Sequence, residues 1–139
     1  MNRTRVTAQL VRHEGLRLKP YRDTVGKLTV GVGRNLDDVG VTEEEAMHLL
    51  HNDVTRVWHD LTRAVPSFGA LDEDRQHVLI DMAFNLGVPG LLKFRKMLDA
   101  VERRDFERAA SEMLDSKWAT QVGQRAVTLA GMMRPKSAL

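Results

Sequence analysis

The sequence of 139 residues contains no cysteine, only four prolines and no long apolar segment. Because cysteine is absent, disulfide bonds, thiol nucleophiles and cysteine-bound zinc are excluded. No stretch approaches the roughly 20 apolar residues of a membrane-spanning helix, so we expect no stable membrane insertion. The basic start of the chain is not followed by the apolar run of a signal peptide. The sequence therefore predicts a domain stabilised by packing alone, without a secretory leader.

The five histidines do not form the HExxH pattern of a zinc enzyme. His48 and His51 could share one face of a helix, but no acidic third ligand is obvious. We interpret the histidines as surface residues and expect neither a metal ion nor a cofactor.

Charge is distributed unevenly along the chain, although the net charge is only +2. Residues 1–36 hold eight basic side chains and two acidic ones, and residues 116–139 hold four basic side chains and no acidic one. If the two ends lie together, they form a basic surface suited to nucleic acid, anionic lipid or bacterial wall. An ordinary solvated surface is the simpler interpretation of charge alone.

The first 36 residues predict a helix followed by a hairpin. A helix over about 4–13 places Val6, Leu10 and Glu14 in one i, i+4 row, and Gly15 ends it. Apolar residues then alternate with Thr29, Gly31 and Gly33 over residues 28–33. This alternation predicts a strand with one packed face and one nearly bare face, where glycines let a ligand come close. A turn over residues 24–27 would place Asp23 at the end of the preceding strand.

From Thr42 onwards the pattern is helical. A capping box over residues 42–45 opens the first helix. Further helices are predicted over about 72–86, 92–103, 105–114 and 125–133. We interpret residues 1–139 as a single α+β domain, with a small β lobe over about 15–41 and a helical part over 1–14 and 42–139. The active-site cleft is expected between these two lobes.

Glu14 and Asp23 are candidates for a pair of catalytic carboxyls, because each lies at a structural transition. Glycosidic cleavage needs one protonated carboxyl and a second group that stabilises charge or activates a nucleophile. The apolar row before Glu14 should favour its neutral form by desolvation, whereas Asp23 beside a turn should remain ionised. Thr29 on the open strand face could hold a water. Spacing alone favours structural roles, in which Glu14 caps a helix or forms a salt bridge, Asp23 begins a turn and Thr29 is an ordinary strand residue.

Two adjacent stretches carry a specific resemblance. Residues 13–24 read HEGLRLKPYRDT and residues 26–33 read GKLTVGVG. They closely resemble the lysozymes of T-even phages and their relatives in glycoside hydrolase family 24. In that family the glutamate is the general acid, the aspartate and threonine assist the attacking water, and configuration at the sugar is inverted. The resemblance assigns these roles to Glu14, Asp23 and Thr29, and inversion requires carboxyls roughly 6.5 to 9.5 Å apart.

Further motifs extend the resemblance over most of the chain. Residues 82–87, MAFNLG, resemble the helix end where Phe84 and Asn85 would line the saccharide site. Residues 116–126 resemble the family's SxWxxQ and RA signature, in which Gln121 and Arg125 would support the catalytic region. Arg125 is expected to pair with Glu14. Trp118 is expected in the core, and Phe84 is as well explained as a core aromatic.

The resemblance is incomplete in three places. Arg34 follows the second glycine where the T-even enzymes carry histidine, so any role of that histidine is missing or replaced. Only five residues separate Leu36 from Thr42, which shortens the β lobe. The chain also stops soon after Arg134, short of the family's longer tail.

The resemblance implies a muramidase that hydrolyses the β-1,4 bond between N-acetylmuramic acid and N-acetylglucosamine in peptidoglycan. We expect a monomeric phage endolysin in the host cytoplasm, which acts on the periplasmic wall once the membrane is permeabilised. Its basic ends would associate with the anionic envelope and not with nucleic acid. A lytic transglycosylase would need one catalytic acid only, and a binding module would need none.

Overall fold

The computed structural model describes residues 1–136, which belong to two compact units, Met1–Leu49 and Leu50–Leu139. The boundary between them falls inside one long helix. The elements in chain order are α1 (Arg3–Glu14), β1 (Arg17–Arg22), β2 (Leu28–Gly31), β3 (Arg34–Asn35), α2 (Glu43–Ala64), α3 (Glu73–Leu86), α4 (Val88–Leu91), α5 (Arg95–Glu102), α6 (Phe106–Leu114), α7 (Lys117–Val122) and α8 (Gln124–Met133). Helices and a small separate sheet confirm the predicted α+β class.

Helix α1 begins and ends at side-chain and backbone caps. The Asn2 side chain accepts a hydrogen bond from the Arg5 amide at 3.0 Å. Gly15, at φ 77°, donates its amide to the Val11 carbonyl and ends the helix directly after Glu14. The predicted helix is therefore confirmed, but none of its residues is buried. Leu10, in the apolar row that was expected to shield Glu14, is 46% exposed.

The three strands form an antiparallel sheet in the order β1-β2-β3. Thr29 is central in it, because its register partners are Tyr21 on β1 and Asn35 on β3. The predicted strand ends at Gly31, earlier than expected, and the chain turns at residues 32–33 into β3. Alternation of valine and glycine continues through this turn, which is why the sequence pattern did not reveal it.

The hairpin between β1 and β2 closes through Asp23, as the sequence predicted. The Asp23 amide donates to the Lys27 carbonyl at 2.9 Å, and the Gly26 amide donates to the Asp23 carbonyl at 3.0 Å. Aspartate favours the first position of such turns because its side chain accepts from amides further along the chain. The hairpin therefore holds Asp23 in one place.

Helix α2 opens with the predicted capping box. The Glu45 amide donates to the Thr42 hydroxyl at 3.1 Å, and the Thr42 amide donates to the Glu45 carboxylate at 2.9 Å. The same carboxylate accepts both terminal nitrogens of Arg34, at 2.8 and 2.7 Å. Arg34 also donates to the Gly40 carbonyl. Arg34, which replaces the family's histidine, thus ties β3 to the start of α2.

The hydrogen bonds from Arg34, together with those from Thr42, lower the pKa of Glu45 from 4.5 to about 2. Because the folded pKa is the lower one, the stabilisation is present above pH 4.5 and disappears as the pH falls towards 2. The melting temperature, measured by circular dichroism, should fall less between pH 5 and pH 2 in the Glu45→Gln variant than in the parent protein. Glu43→Gln, at the first position of the same helix, is the control and should leave that fall unchanged.

All fully buried apolar side chains of the described residues lie in the C-terminal unit. Phe68, Leu79, Met82 and Met97 are at its centre and are at most 1% exposed. In the N-terminal unit the only buried side chain among the described residues is Thr29. Hydrogen bonds and caps therefore organise the N-terminal unit, whereas apolar packing organises the C-terminal one.

One helical prediction in the C-terminal unit was wrong in its bounds, and two short helices were not predicted. The helix expected over 92–103 begins only at Arg95, because residues 92–94 form a turn after the short helix α4. Helix α4 was not predicted, although Pro89 fits its first turn, where the missing proline amide is not needed. Helix α7 was not predicted because its six residues, 117–122, are too few to show a periodic pattern.

Candidate active site

Glu14 lies at the C-terminal end of α1 with its carboxylate against the turn between β2 and β3. A Cβ atom built on Gly33 would lie 3.1 Å from Glu14 Oε2 and 3.2 Å from its Cδ. The carboxylate therefore packs on the bare backbone of Gly33, which any side chain would crowd. The side chain is exposed, so the expected shielding by the apolar row of α1 is wrong. Exclusion of water from the Glu14 carboxylate must therefore come from a group outside α1.

Asp23 is fixed by its own turn. Its Oδ1 atom accepts the amides of Val25 at 3.0 Å and Lys27 at 2.8 Å. None of the described residues donates to Oδ2. One oxygen therefore orients the side chain, and the other is available for a water molecule. Asp23 therefore does act as a turn residue, as the sequence allowed. This structural role does not exclude a chemical role for its second oxygen.

Thr29 is not on an open strand face, contrary to the expectation from alternation. Its side chain is 3% exposed, and its hydroxyl donates to the Lys27 carbonyl at 2.8 Å. Because the hydroxyl proton is used within the chain, the oxygen can only accept from a water molecule. Lys27 thus links the two residues, since its amide binds Asp23 and its carbonyl binds Thr29.

The two glycines of this region have equal backbone angles and different surroundings. Gly31 and Gly33 both lie at φ 71°, where an L-residue is strained. A Cβ on Gly31 would meet no atom within 4 Å, whereas a Cβ on Gly33 would meet Glu14. Alanine would strain the backbone at either position, but only alanine at position 33 would also displace the Glu14 carboxylate. Comparing the two variants therefore distinguishes these two effects.

If Glu14 is the proton donor that the resemblance implies, Gly33→Ala should lower peptidoglycan hydrolysis about tenfold more than Gly31→Ala, because displacing a reacting group by even 1 Å can cost about 10²-fold. Alanine at position 33 must move the Glu14 carboxylate by a few tenths of an ångström, whereas alanine at position 31 does not touch it. Rates are compared at equal concentrations of folded protein. Equal losses in the two variants would mean that displacing Glu14 adds nothing to the costs that both share, backbone strain and a side chain facing the sugar.

The motif at the end of α3 is organised by a tryptophan in the same unit. Trp118 Nε1 donates to Asn85 Oδ1 at 2.8 Å, and Trp118 is 3% exposed. The prediction that Trp118 belongs to the core is confirmed. Phe84, by contrast, is 39% exposed and is available to a ligand. Asn85 keeps its amide nitrogen free of any described partner.

A groove of about 720 Å³ runs beside this tryptophan within the C-terminal unit. It is lined by Trp118, Phe94 and Gln121 together with four basic residues, Lys93, Arg95, Lys96 and Lys117. The ring of Phe94 meets the edge of Trp118 at a centroid distance of 6.1 Å. Gln121 therefore faces an open, partly aromatic groove.

Arg125 binds Asp81 in the C-terminal unit. Its Nε and Nη2 atoms lie 2.7 and 2.6 Å from Asp81 Oδ1. Nη2 also donates to the Asp81 carbonyl at 3.2 Å. The partner that the structure gives Arg125 is thus Asp81, whereas the sequence suggested Glu14. The sequence did not reveal Asp81 as the partner because 44 residues separate the two positions.

The described residues contain no cluster of three or more histidine, aspartate and glutamate side chains that could hold a metal ion. None of the described helices is both long and apolar enough to cross a membrane.

Comparison with known proteins gives a consistent picture. Residues 11–138 match the family described as phage lysozyme. The chain is 33% identical over 145 residues to the pre-baseplate central spike protein of Enterobacteria phage T4. This alignment covers 84% of this chain and 25% of the spike protein. It is 25% identical to a probable T4-type lysozyme of Dictyostelium discoideum, covering 81% of this chain and 83% of that protein. It is also 27% identical to an endolysin of Acyrthosiphon pisum secondary endosymbiont phage 1, with 91% and 86% covered.

Proposed function

The chain belongs to the phage lysozyme family, a family of glycoside hydrolases, and on that premise we propose that it is an inverting N-acetylmuramidase of peptidoglycan. The bond cut is the β-1,4 bond between N-acetylmuramic acid and N-acetylglucosamine. The observation that carries the proposal is the contact of the Glu14 carboxylate with the Gly33 backbone. It holds a proton donor beside the hairpin that carries Asp23 and Thr29.

Glu14, in its neutral form, gives its proton to the glycosidic oxygen as the bond from that oxygen to the muramic acid C1 breaks. A water molecule attacks C1 from the opposite face of the ring. Asp23 Oδ2 takes a proton from this water, so one water is consumed and Glu14 is left ionised. Proton exchange with solvent then restores both carboxyls. The free Oδ2 atom supports this role for Asp23.

Thr29 assists by accepting a hydrogen bond from the same water. Its hydroxyl proton is held by the Lys27 carbonyl, so its oxygen is oriented before substrate arrives. Glycan binding covers the exposed Glu14 and removes water from it. Desolvation thus comes from the substrate and not from α1.

Gly31 and Gly33 present bare backbone to the sugar, because no side chain there blocks an approaching ring. In the C-terminal unit we assign sugar contacts to Phe84 and to the free amide of Asn85, and a supporting role to Gln121 and Arg125. The exposed ring of Phe84 and the open groove beside Gln121 support these assignments.

The protein is proposed to act as a monomeric phage endolysin that reaches the wall from the host cytoplasm after membrane permeabilisation. Its basic ends associate with the anionic envelope. The chain spans 25% of the length of the T4 spike protein and 86% of the length of the endolysin.

The test is the chemistry of the released ends. Purified peptidoglycan is digested, reduced with borohydride and analysed by mass spectrometry. Muramidase action yields reduced N-acetylmuramic acid at every new end. Reduced N-acetylglucosamine would indicate cleavage of the other glycosidic bond, and a 1,6-anhydro end, which lacks one water, would indicate a lytic transglycosylase. Either of these results would overturn the proposal, as would binding without any cleavage.

A further inference from the structure

The segment Leu16–Lys19, at the start of the edge strand β1, exposes apolar and basic side chains in strict alternation. Leu16 is 61% exposed and Leu18 is 84% exposed. Arg17 and Lys19 between and after them are exposed as well. Single exposed leucines are ordinary on a protein surface. Two of them interleaved with two cations on an uncovered edge strand form an amphipathic edge.

The charges of this edge are not neutralised by the chain. No carboxylate of the described residues lies within 4.0 Å of Arg17 or Lys19, whereas Arg22 and Lys27 further along both pair with aspartates. The Arg17 guanidinium lies 4.4 Å from the centre of the Tyr21 ring, which leaves its hydrogen-bond donors free.

Helix α1, which leads into this edge, adds charge of the same sign. Arg3, Arg5 and Arg12 are exposed and likewise have no carboxylate within 4.0 Å among the described residues. None of the residues of α1 is buried. The N-terminal unit therefore offers several unpaired cations beside the exposed Leu16 and Leu18, and the complement of this surface is an anionic partner with an apolar layer.

We infer that the Leu16–Lys19 edge binds the surface of an anionic phospholipid bilayer. Leucines enter the boundary of the acyl chains, and the long basic side chains extend along them to reach the phosphates. Free phosphate or nucleic acid would use only the cations and would leave the leucines in water. This binding is separate from glycan hydrolysis, and it rests on the proposed function only in specifying which part of the envelope the basic N-terminal end contacts.

The experiment is co-sedimentation of the full chain with vesicles of phosphatidylcholine, with and without one third phosphatidylglycerol. We expect binding to the mixed vesicles only. Each basic side chain near an anionic surface contributes about fivefold to partitioning. Arg17→Gln combined with Lys19→Gln should therefore weaken binding about 25-fold.

The control is Lys93→Gln combined with Arg95→Gln, which removes the same two charges at the same spacing from the C-terminal unit. It should change binding less than threefold. An equal loss in both double variants would mean that net charge alone attracts the protein, and would overturn the inference. Melting temperatures verify that each variant is folded.

Leu16→Ser combined with Leu18→Ser keeps every charge and tests the apolar part. We expect it to weaken vesicle binding at least tenfold. Unchanged binding would overturn the inference, because only the cations would then be engaged. Displacement from vesicles by inorganic phosphate, at an ionic strength matched with chloride, would also overturn it by indicating a site for the free ion.

Discussion

Replacing Glu14 with glutamine should lower the rate of peptidoglycan hydrolysis by about 10²- to 10⁴-fold, the usual contribution of a general acid. Glutamine has nearly the same shape, and the amide can still lie on the Gly33 backbone, but it has no proton to give to the leaving oxygen. The rate is measured as loss of turbidity of permeabilised Gram-negative cells and as release of reducing ends from purified peptidoglycan.

Glu14→Gln should leave the fold and the affinity for glycan unchanged. The Glu14 side chain is exposed and accepts no hydrogen bond from the described residues. The melting temperature of the variant should therefore equal that of the parent protein. Glu43→Gln removes another exposed carboxylate of the same unit and should retain full activity. If Glu14→Gln keeps more than a tenth of the parent rate, Glu14 is not the proton donor.

Asp23 is expected to be the second most sensitive position, and two substitutions separate its two roles. Asp23→Asn keeps a carbonyl oxygen that can accept the amides of Val25 and Lys27, but it loses the charge of Oδ2. We expect normal stability and a fall in the rate of about 10²-fold, the loss of a base. Asp23→Ala removes the acceptor too, and should also cost about 1–2 kcal/mol in the free energy of unfolding.

The comparison is made by chemical denaturation and by the rate on purified peptidoglycan. If the asparagine variant is fully active and the alanine variant is only unstable, Asp23 is a turn residue without a chemical role. If both variants are inactive and only the alanine variant is destabilised, one oxygen of Asp23 stabilises the turn and the other has the chemical role.

The features that the sequence predicted correctly depend on interactions between residues that are close together in the chain. The capping box at Thr42 and Glu45, the turn at Asp23 and the helix end at Gly15 all arise from local hydrogen bonds, which short motifs specify. The resemblance to the family supplied the candidate residues themselves, which their spacing alone could not have distinguished from a cap and a turn.

What the sequence could not predict depends on contacts between distant positions. Arg125 binds Asp81, and Arg34 binds Glu45, because charged side chains pair with the groups that the fold brings near them. Thr29 is buried in the middle strand because β3 follows β2 immediately, a turn that alternation concealed. Glu14 is exposed because α1 buries none of its residues.

The configuration of the first product tests the central claim, that a water molecule beside Asp23 attacks while Glu14 protonates the leaving oxygen. Glycan strands are cleaved at high enzyme concentration, and the new reducing end is followed by proton NMR before mutarotation mixes the anomers. We predict the α-anomer of N-acetylmuramic acid as the first product of the β-linked substrate. A β-anomer appearing first would contradict the mechanism, because it requires a covalent or retained intermediate in place of direct attack by water.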